Sequence, residues 1–475
     1  MKTKSYQGEI FFVFCLSIPV YTLTSRAIRS GMDPRSPFRF SRNIFRPVLD
    51  QSCLAGAINF FKLREVTSMI SVNQDRLWRS LMDMAMIGAT AKGGNCRLAL
   101  TDEEVQGRRL FMQWCEEAGC ELRIDPIGNI FARRNGTQKD APPVMCGSHL
   151  DTQPAGGRFD GVYGVLAGLE VIRTLNELDV STRYPIEVVA WTNEEGSRFT
   201  PGMMGSAVYS GKLDIDVARA RPCMQTGVLL GDELRRTGFA GTATSAQLPK
   251  AYFEAHIEQG PILENANLPI GVVTGAQGIY ELEVTIVGFE SHAGTTPMSL
   301  RKDALEAAAN MIASILNLGH RIDPDARVTV GHIDCYPNSP STIPGKVVFS
   351  IDVRHPQQPM LQTLVAEIET ICAQRAVTHG ASVDVQTVAA YEPVAFDVQC
   401  VQRVRHATSS LGYPAMDICS GAGHDAVNLS YVAPTAMIFV PCKAGLSHNE
   451  LEDADPVHLA QGASVLANVL LDEAR

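Results

Sequence analysis

What this 475-residue chain lacks narrows its class before any motif is read. Its twelve cysteines include no C-x-x-C pair and follow no regular spacing. That excludes a thiolate zinc ribbon and a disulfide-framed secreted fold, and leaves reduced, mostly buried thiols in a cytoplasmic protein. No apolar run is long enough to span a bilayer comfortably: Ile10 to Leu23 is broken by Ser17 and Pro19. There is no repeat and no low-complexity segment, which excludes solenoids and propellers. Positive charge is missing from most of the chain. Residues 1–69 hold ten Lys/Arg and four Asp/Glu, whereas the rest holds 31 and 47, a net of −16. A body this acidic suits neither nucleic acid nor anionic lipid, so neither partner is expected, nor a stable membrane anchor. What is there is ordinary for a globular protein: 45% hydrophobic and 19% charged residues, with length for two or three domains.

The basic N-terminal stretch, residues 1–69, is expected to be a disordered extension. Lys2 and Lys4 precede the short apolar run as in a signal peptide, but no A-x-A site follows. Six Arg and one Asp in residues 26–48 resemble a transit peptide. The third reading is a dispensable upstream extension, with Met32 or Met69 as the start.

Pro143 to Leu178, PVMCGSHLDTQPAGGRFDGVYGVLAGLEVIRTLNEL, organises the remainder. Val144 to Cys146 reads as a buried strand that Gly147 and Ser148 break, placing His149 on a loop. Asp160 lies in the same loop, before apolar residues from Val162 to Leu175 at helical spacing. In an open α/β sheet, ligands sit just beyond the carboxyl ends of strands. Imidazole and carboxylate there are the ligand mix of a zinc-type ion. H-x-D alone is a weak signal, but three further apolar runs behave the same way. IEVVAW is followed by Glu194 and Glu195, AYFEAHIEQG carries His256 and Gln259, and TAMIFVP leads to His448. A bend at Gly196 would send one of the paired glutamates to a metal and leave the other free beside it.

Upstream, Leu77–Ile87 and Asp102–Ala118 have helical spacing, the second opened by a capping box of Thr101 and Glu104, and Glu121–Phe131 reads as a hairpin. Between His256 and His448 the pattern changes. Strands from Tyr280, over Val328–Ile333, over Val347–Val353 and over Ala381–Ala389 alternate with helices over Asp303–Leu318 and Met360–Ala376. The order β-α-β-β-α-β marks an inserted α+β module. The expected architecture is therefore α/β: a catalytic domain with a mixed, mostly parallel sheet flanked by helices (70–276 and 395–475), interrupted by a lid or dimerisation domain (277–394).

GSHLDT, GGRFDG, WTNEEGSRF, HIEQGPILE, GFESHAGTTPM, DVRHP, SGAGHDA and LSHNE together resemble the dinuclear-zinc amidohydrolases. That group includes N-carbamoyl-L-amino-acid hydrolases, β-ureidopropionase and allantoate amidohydrolase, and is related to aminoacylases and zinc carboxypeptidases. The resemblance covers about residues 73–475. It implies two divalent metal ions: zinc first, with manganese, cobalt or nickel as alternatives. His149, Asp160 and His256 would bind one, and Asp160, Glu195 and His448 the other, with Asp160 bridging. Glu194 falls on the general base, and Gln259, His292 and Arg354 on substrate-binding positions, Arg354 for the substrate carboxylate. Thirteen residues before that arginine, where relatives often have a substrate-binding asparagine, this chain has Ser341. His424 is read as supporting its Gly-rich loop.

The implied activity is hydrolysis of a ureido C–N bond in a small carboxylate-bearing substrate, an N-carbamoyl-L-amino acid or N-carbamoyl-β-alanine. Allantoate, N-acyl amino acids and peptides are the alternatives within the class, and a non-catalytic binding protein the alternative outside it. His292 and Arg354 fall in the inserted module, so that module must close over the metals or meet those of a second copy in a homodimer.

Overall fold

The computed structural model describes residues 69–243 and 248–475. The N-terminal targeting and start-site expectations therefore lie outside the described residues, apart from Met69. The sheet that carries the first lobe grows from the hairpin of β1 (Glu121–Ile124) and β2 (Ile130–Arg134). Next come β3 (Val144–His149), β4 (Ile186–Trp191), β5 (Ala251–Ile257) and β6 (Ile270–Ala276).

The chain then builds the second lobe from β7 (Gly278–Val287), β8 (Ser291–His292), β9 (Arg327–Thr329), β10 (Ile333–Tyr336), β11 (Thr342–Ile343), β12 (Lys346–His355) and β13 (Ser382–Tyr391). It returns to the first sheet with β14 (Val394–Ala395), β15 (Ala415–Ser420) and β16 (Thr435–Val440).

The first sheet is mixed. Its path runs β1-β2-β4-β3-β5-β16-β6-β14, with β15 also on β6. The central four, β4, β3, β5 and β16, are mutually parallel; β2 and β6 join them antiparallel, and β15 lies parallel to β6. These central strands are buried along their whole length, as expected where helices cover a parallel sheet. The helix Val162–Glu177 packs on β3, β4 and β5, and the helices Gln74–Ala85 and Pro456–Glu473 pack against it.

Asp102–Glu117 starts as its sequence predicts, Thr101 accepting from the Glu104 N–H. The reciprocal bond goes to the Leu100 N–H instead, because Glu104 also pairs with the buried Arg108. The second lobe has its own core. Leu282, Val284 and Ile286 of β7 and Val347, Phe349 and Ile351 of β12 alternate onto the helices Ala304–Ile322 and Gln358–Thr378.

Two readings of the sequence need correction. Gly147 does not end β3, which runs through it to His149, so that histidine is a strand residue. Gly147 has φ 152, and a Cβ there would lie 2.0 Å from the Val189 carbonyl oxygen. The glycine admits the neighbouring strand at close range; it is not a break. Val328–Ile333 is not one strand either. It splits into β9 and β10, both paired with β12, around an interruption at residues 330–332. None of the ten cysteines among the described residues is in a disulfide. Among the described residues, no helix is long and apolar enough to cross a membrane.

Candidate metal centre and active-site cavity

Because β4, β3, β5 and β16 are parallel neighbours, their carboxyl ends share one edge of the sheet. β3 ends on His149, β4 stops three residues before Glu194, β5 holds His256 next to its last residue, and the loop after β16 reaches His448. Asp160 arrives from the turn before the Val162–Glu177 helix. Gly161 makes that turn possible: its φ is 68, and a Cβ would lie 2.3 Å from the His149 ring.

Asp160 is the shared element. Its Oδ1 lies 3.3 Å from His256 Nε2 and 3.7 Å from His149 Nε2. Its Oδ2 lies 3.3 Å from His448 Nε2, which is 3.4 Å from Glu195 Oε2. Glu194 points its Oε2 to within 3.4 Å of His149 Nε2. The paired glutamates thus diverge, between left-handed residues at Asn193 and Gly196.

The histidine tautomers follow from their outer partners. His149 Nδ1 is 2.8 Å from the Asp151 carbonyl oxygen and His256 Nδ1 is 2.9 Å from that of Ile257. A carbonyl only accepts, so each ring carries a proton on Nδ1, and Nε2 is the nitrogen that faces the site.

The electrostatics favour cations. Burial pushes the His149 imidazole down to about 4, against the pull of Asp160. Burial also lowers His256, but the hydrogen bond and charge of Asp160 overcome it and raise that ring to about 9. Burial pushes Asp160 up, yet His256 and His448 hold it well below the usual carboxylate range. Glu194 and Glu195 are both driven well up by burial, then by other carboxylates, Asp425 first for Glu194 and Asp160 for Glu195. Acids crowded out of water and against one another gain from cations placed between them.

The residues fit that demand. His149, Asp160 and His256 offer ligand atoms within 4.8 Å of one another, and so do Asp160, Glu195 and His448. Glu254, His256 and His424 meet the same spacing. However, Glu254 already accepts from the Ser148 hydroxyl, the Tyr252 hydroxyl and the Ala426 N–H, at 2.6, 3.2 and 2.9 Å. Two groups sharing one carboxylate, made of imidazoles and carboxylates, suit a pair of zinc-type ions.

Eight of the nine candidate residues line one cavity of about 240 Å³: His149, Asp160, Glu194, Glu195, His256, Gln259, Arg354 and His448. Gln259 donates Nε2 to Asp160 Oδ2 at 2.9 Å. Arg354 comes from β12 of the second lobe. It grips Asp352 through Nε and Nη2 at 2.8 and 2.9 Å and donates Nη1 to the Gly421 carbonyl. His292 is not brought in. It is exposed on β8, its Nδ1 accepting from the N–H groups of Gly294 and Thr295. Ser341 is close by, its carbonyl accepting from the Ala293 N–H, so both positions belong to the same corner of the lobe.

His424 lines the metal cavity as well, its Nε2 3.1 Å from the Ser420 hydroxyl in the Gly-rich segment. Other supports were missed. The Asp151 side chain accepts from the N–H groups of Glu194 and Glu195 at 3.3 and 3.2 Å. Gln153 donates to Glu195 Oε2 at 2.7 Å. Glu452 accepts from the Phe159 and Asp160 N–H groups at 2.8 and 3.1 Å, and Ser447 bridges Asp160 and Glu452. The H-x-D spacing was a visible signal for Asp151; the sequence held none for Glu452.

Known proteins resemble this chain. The chain is 48% identical over 404 residues to an N-carbamoyl-L-amino-acid amidohydrolase of Rhizobium meliloti, covering 85% of this chain and 97% of that protein. It is 35% identical over 394 residues to an allantoate amidohydrolase of Bacillus subtilis, covering 82% and 94%. The crystal structure of a hydantoinase/carbamoylase family amidase from Burkholderia multivorans superposes with a TM-score of 0.83 at 50% identity, covering 86% and 99%. Residues 145–472 match the profile of Peptidase family M20/M25/M40, and the chain belongs to that family.

Proposed function

We propose that this chain hydrolyses the ureido group of N-carbamoyl amino acids, either N-carbamoyl-L-amino acids or N-carbamoyl-β-alanine. Substrate and one water give the amino acid, carbon dioxide and ammonia. One observation carries the reading: a single carboxylate, Asp160, faces two histidines with one oxygen and a third with the other, beside a glutamate, Glu194, that neither three-residue group uses. The 48% identical relative bears the corresponding name.

In this reading His149, Asp160 and His256 hold one divalent ion and Asp160, Glu195 and His448 the other, zinc before manganese, cobalt or nickel. Ions held there supply Lewis acidity, lowering the pKa of a water and polarising the carbonyl under attack. Glu194 takes the proton of the attacking water and hands it to the leaving nitrogen. Gln259 and Arg354, on the wall of the same cavity, hold the substrate, Arg354 gripping its carboxylate through a planar fork. His292 lies outside the cavity of its own chain, so its part in binding needs a second copy, a homodimer joined through the inserted domain (277–394). The acidic body and scattered thiols support work in the cytoplasm.

The test is ammonia release from a panel of N-carbamoyl-L-amino acids, N-carbamoyl-β-alanine, allantoate and N-acetyl amino acids. Turnover of N-carbamoyl compounds, lost on chelation and restored by a divalent metal, is expected. Allantoate turned over tenfold faster would move the assignment to allantoate. Metal-loaded protein that releases ammonia from no ureido compound overturns the proposal.

A further inference from the structure

The metal cavity adjoins a second one of about 590 Å³, and the two share Gln259, Arg354 and Ala422 as a common wall. The second cavity lies between the lobes. Gln277, at the junction of β6 and β7, Arg327 on β9 and Asp352 on β12 face Ile418 and Phe439 of the first sheet across it.

Three polar groups that line the second cavity have bonding capacity to spare. Gln259 donates its Nε2 to Asp160, which can only accept, so the orientation of its amide is set. Its Oε1 is then left buried with no partner among the described residues. The Gln277 side-chain oxygen is in the same condition. Arg327 spends Nη1 on the carbonyls of Pro324 and Ala326, and its Nε and Nη2 make no hydrogen bond or ion pair among the described residues. Asp352 is paired with Arg354 through both of its oxygens.

Substrate geometry decides what enters. The α-carbon of an N-carbamoyl α-amino acid has three heavy branches. With the ureido group at the metals and the carboxylate on Arg354, which stands at the join, the second cavity is the adjoining space open to a third branch. A β-alanine derivative has no third branch and leaves that space unfilled.

We infer, resting on the amidohydrolase reading above, that the second cavity is the side-chain subsite. It selects L-α-amino acid derivatives whose side chain ends in a planar amide or ureido group, with Gln277 and Arg327 determining the choice. Such a group gives N–H donors to the two glutamine oxygens and a carbonyl to Arg327. An aliphatic side chain would cover the same oxygens without satisfying them, and sites built around hydrogen bonds reject such analogues strongly.

The test is kcat/KM, read as release of the free amino acid, for N-carbamoyl-L-glutamine, N-carbamoyl-L-citrulline, N-carbamoyl-L-norleucine and N-carbamoyl-β-alanine. The glutamine and citrulline derivatives should exceed the norleucine derivative by about tenfold or more. Gln277→Leu and Arg327→Met should each shrink that ratio by about threefold or more, mainly through KM. Equal use or preference for norleucine by the wild-type chain overturns the inference even if neither variant folds. A ratio unchanged in both variants, with wild-type melting temperatures, overturns it as well. If the metal-loaded wild type cleaves none of the four compounds, the amidohydrolase reading fails, and this inference falls with it.

Discussion

Replacing Asp151 with asparagine removes one charge and turns one acceptor oxygen into a donor at nearly constant volume. In the native site both carboxylate oxygens are in use, one on the Glu194 N–H at 3.3 Å and one on the Glu195 N–H at 3.2 Å. Hydrogen bonds to a charged partner contribute about 1.5–3 kcal/mol each, and bonds this long belong at the low end. In the variant one N–H meets an amide N–H and loses its bond, while the other keeps a weaker, neutral acceptor. The loss comes to about 2 kcal/mol, or ~30-fold in an equilibrium constant.

It falls on the turn that presents the two glutamates. The Asp151 carbonyl still orients His149, because that bond belongs to the backbone. On the proposed ligand assignment, an ion held through Glu195 should therefore bind ~30-fold more weakly, while one held by His149, Asp160 and His256 stays close to native affinity. Competition with a metal chelator, followed by elemental analysis, separates the two stoichiometries. Turnover at saturating metal should fall by about 10- to 100-fold through misplacement of Glu194. Asparagine protein with native affinity for both ions and native turnover would refute the reasoning. So would loss of both ions together with a large drop in melting temperature, which would mean that Asp151 holds the fold and not the turn.

Glu194→Gln should lower turnover by about 100-fold or more while both ions remain bound, since amide nitrogen cannot accept the proton. Loss of an ion on elemental analysis would make Glu194 a ligand. Mixing inactive Glu194→Gln subunits with inactive His292→Ala subunits tests the homodimer. Random exchange makes half the dimers hybrid, each with one intact site, so up to about a quarter of wild-type activity should return. No recovery after confirmed exchange would place His292 in its own chain's chemistry.

The residues that line the candidate cavity were mostly readable in the sequence. His149, Asp160, Glu194, Glu195, His256 and His448 are imidazoles and carboxylates following apolar runs, and a parallel sheet gathers its strand ends on one edge. The role of Asp151 and the presence of Glu452 at the site were hidden for a different reason. They work by accepting backbone N–H bonds from residues 43 and 293 positions away, and no side-chain pattern records such a bond. Gly147 misled because a glycine that breaks a strand and one that admits a neighbouring backbone look alike in a sequence; the Val189 carbonyl distinguishes them. β9 and β10 were merged because residues 330–332 interrupt the pairing without a proline to mark the place. The inserted lobe was legible in its helices and long strands, whose alternation is undisturbed, but His292 and Ser341 depend on what lies opposite them.

The position of β16 bears on how the chain is made. This strand separates β5 from β6, yet it leaves the ribosome some 160 residues after them. Until it arrives, β5 shows an unpaired apolar edge and β6 has no neighbour on that side, while the second lobe, whose contacts are more local, can already condense. Late closure of long-range strand pairs is slow and leaves sticky edges exposed. Expression should thus be limited by the interval before β16 inserts, and slower synthesis at lower temperature or a holding chaperone should raise soluble yield more than any repair of the cavity.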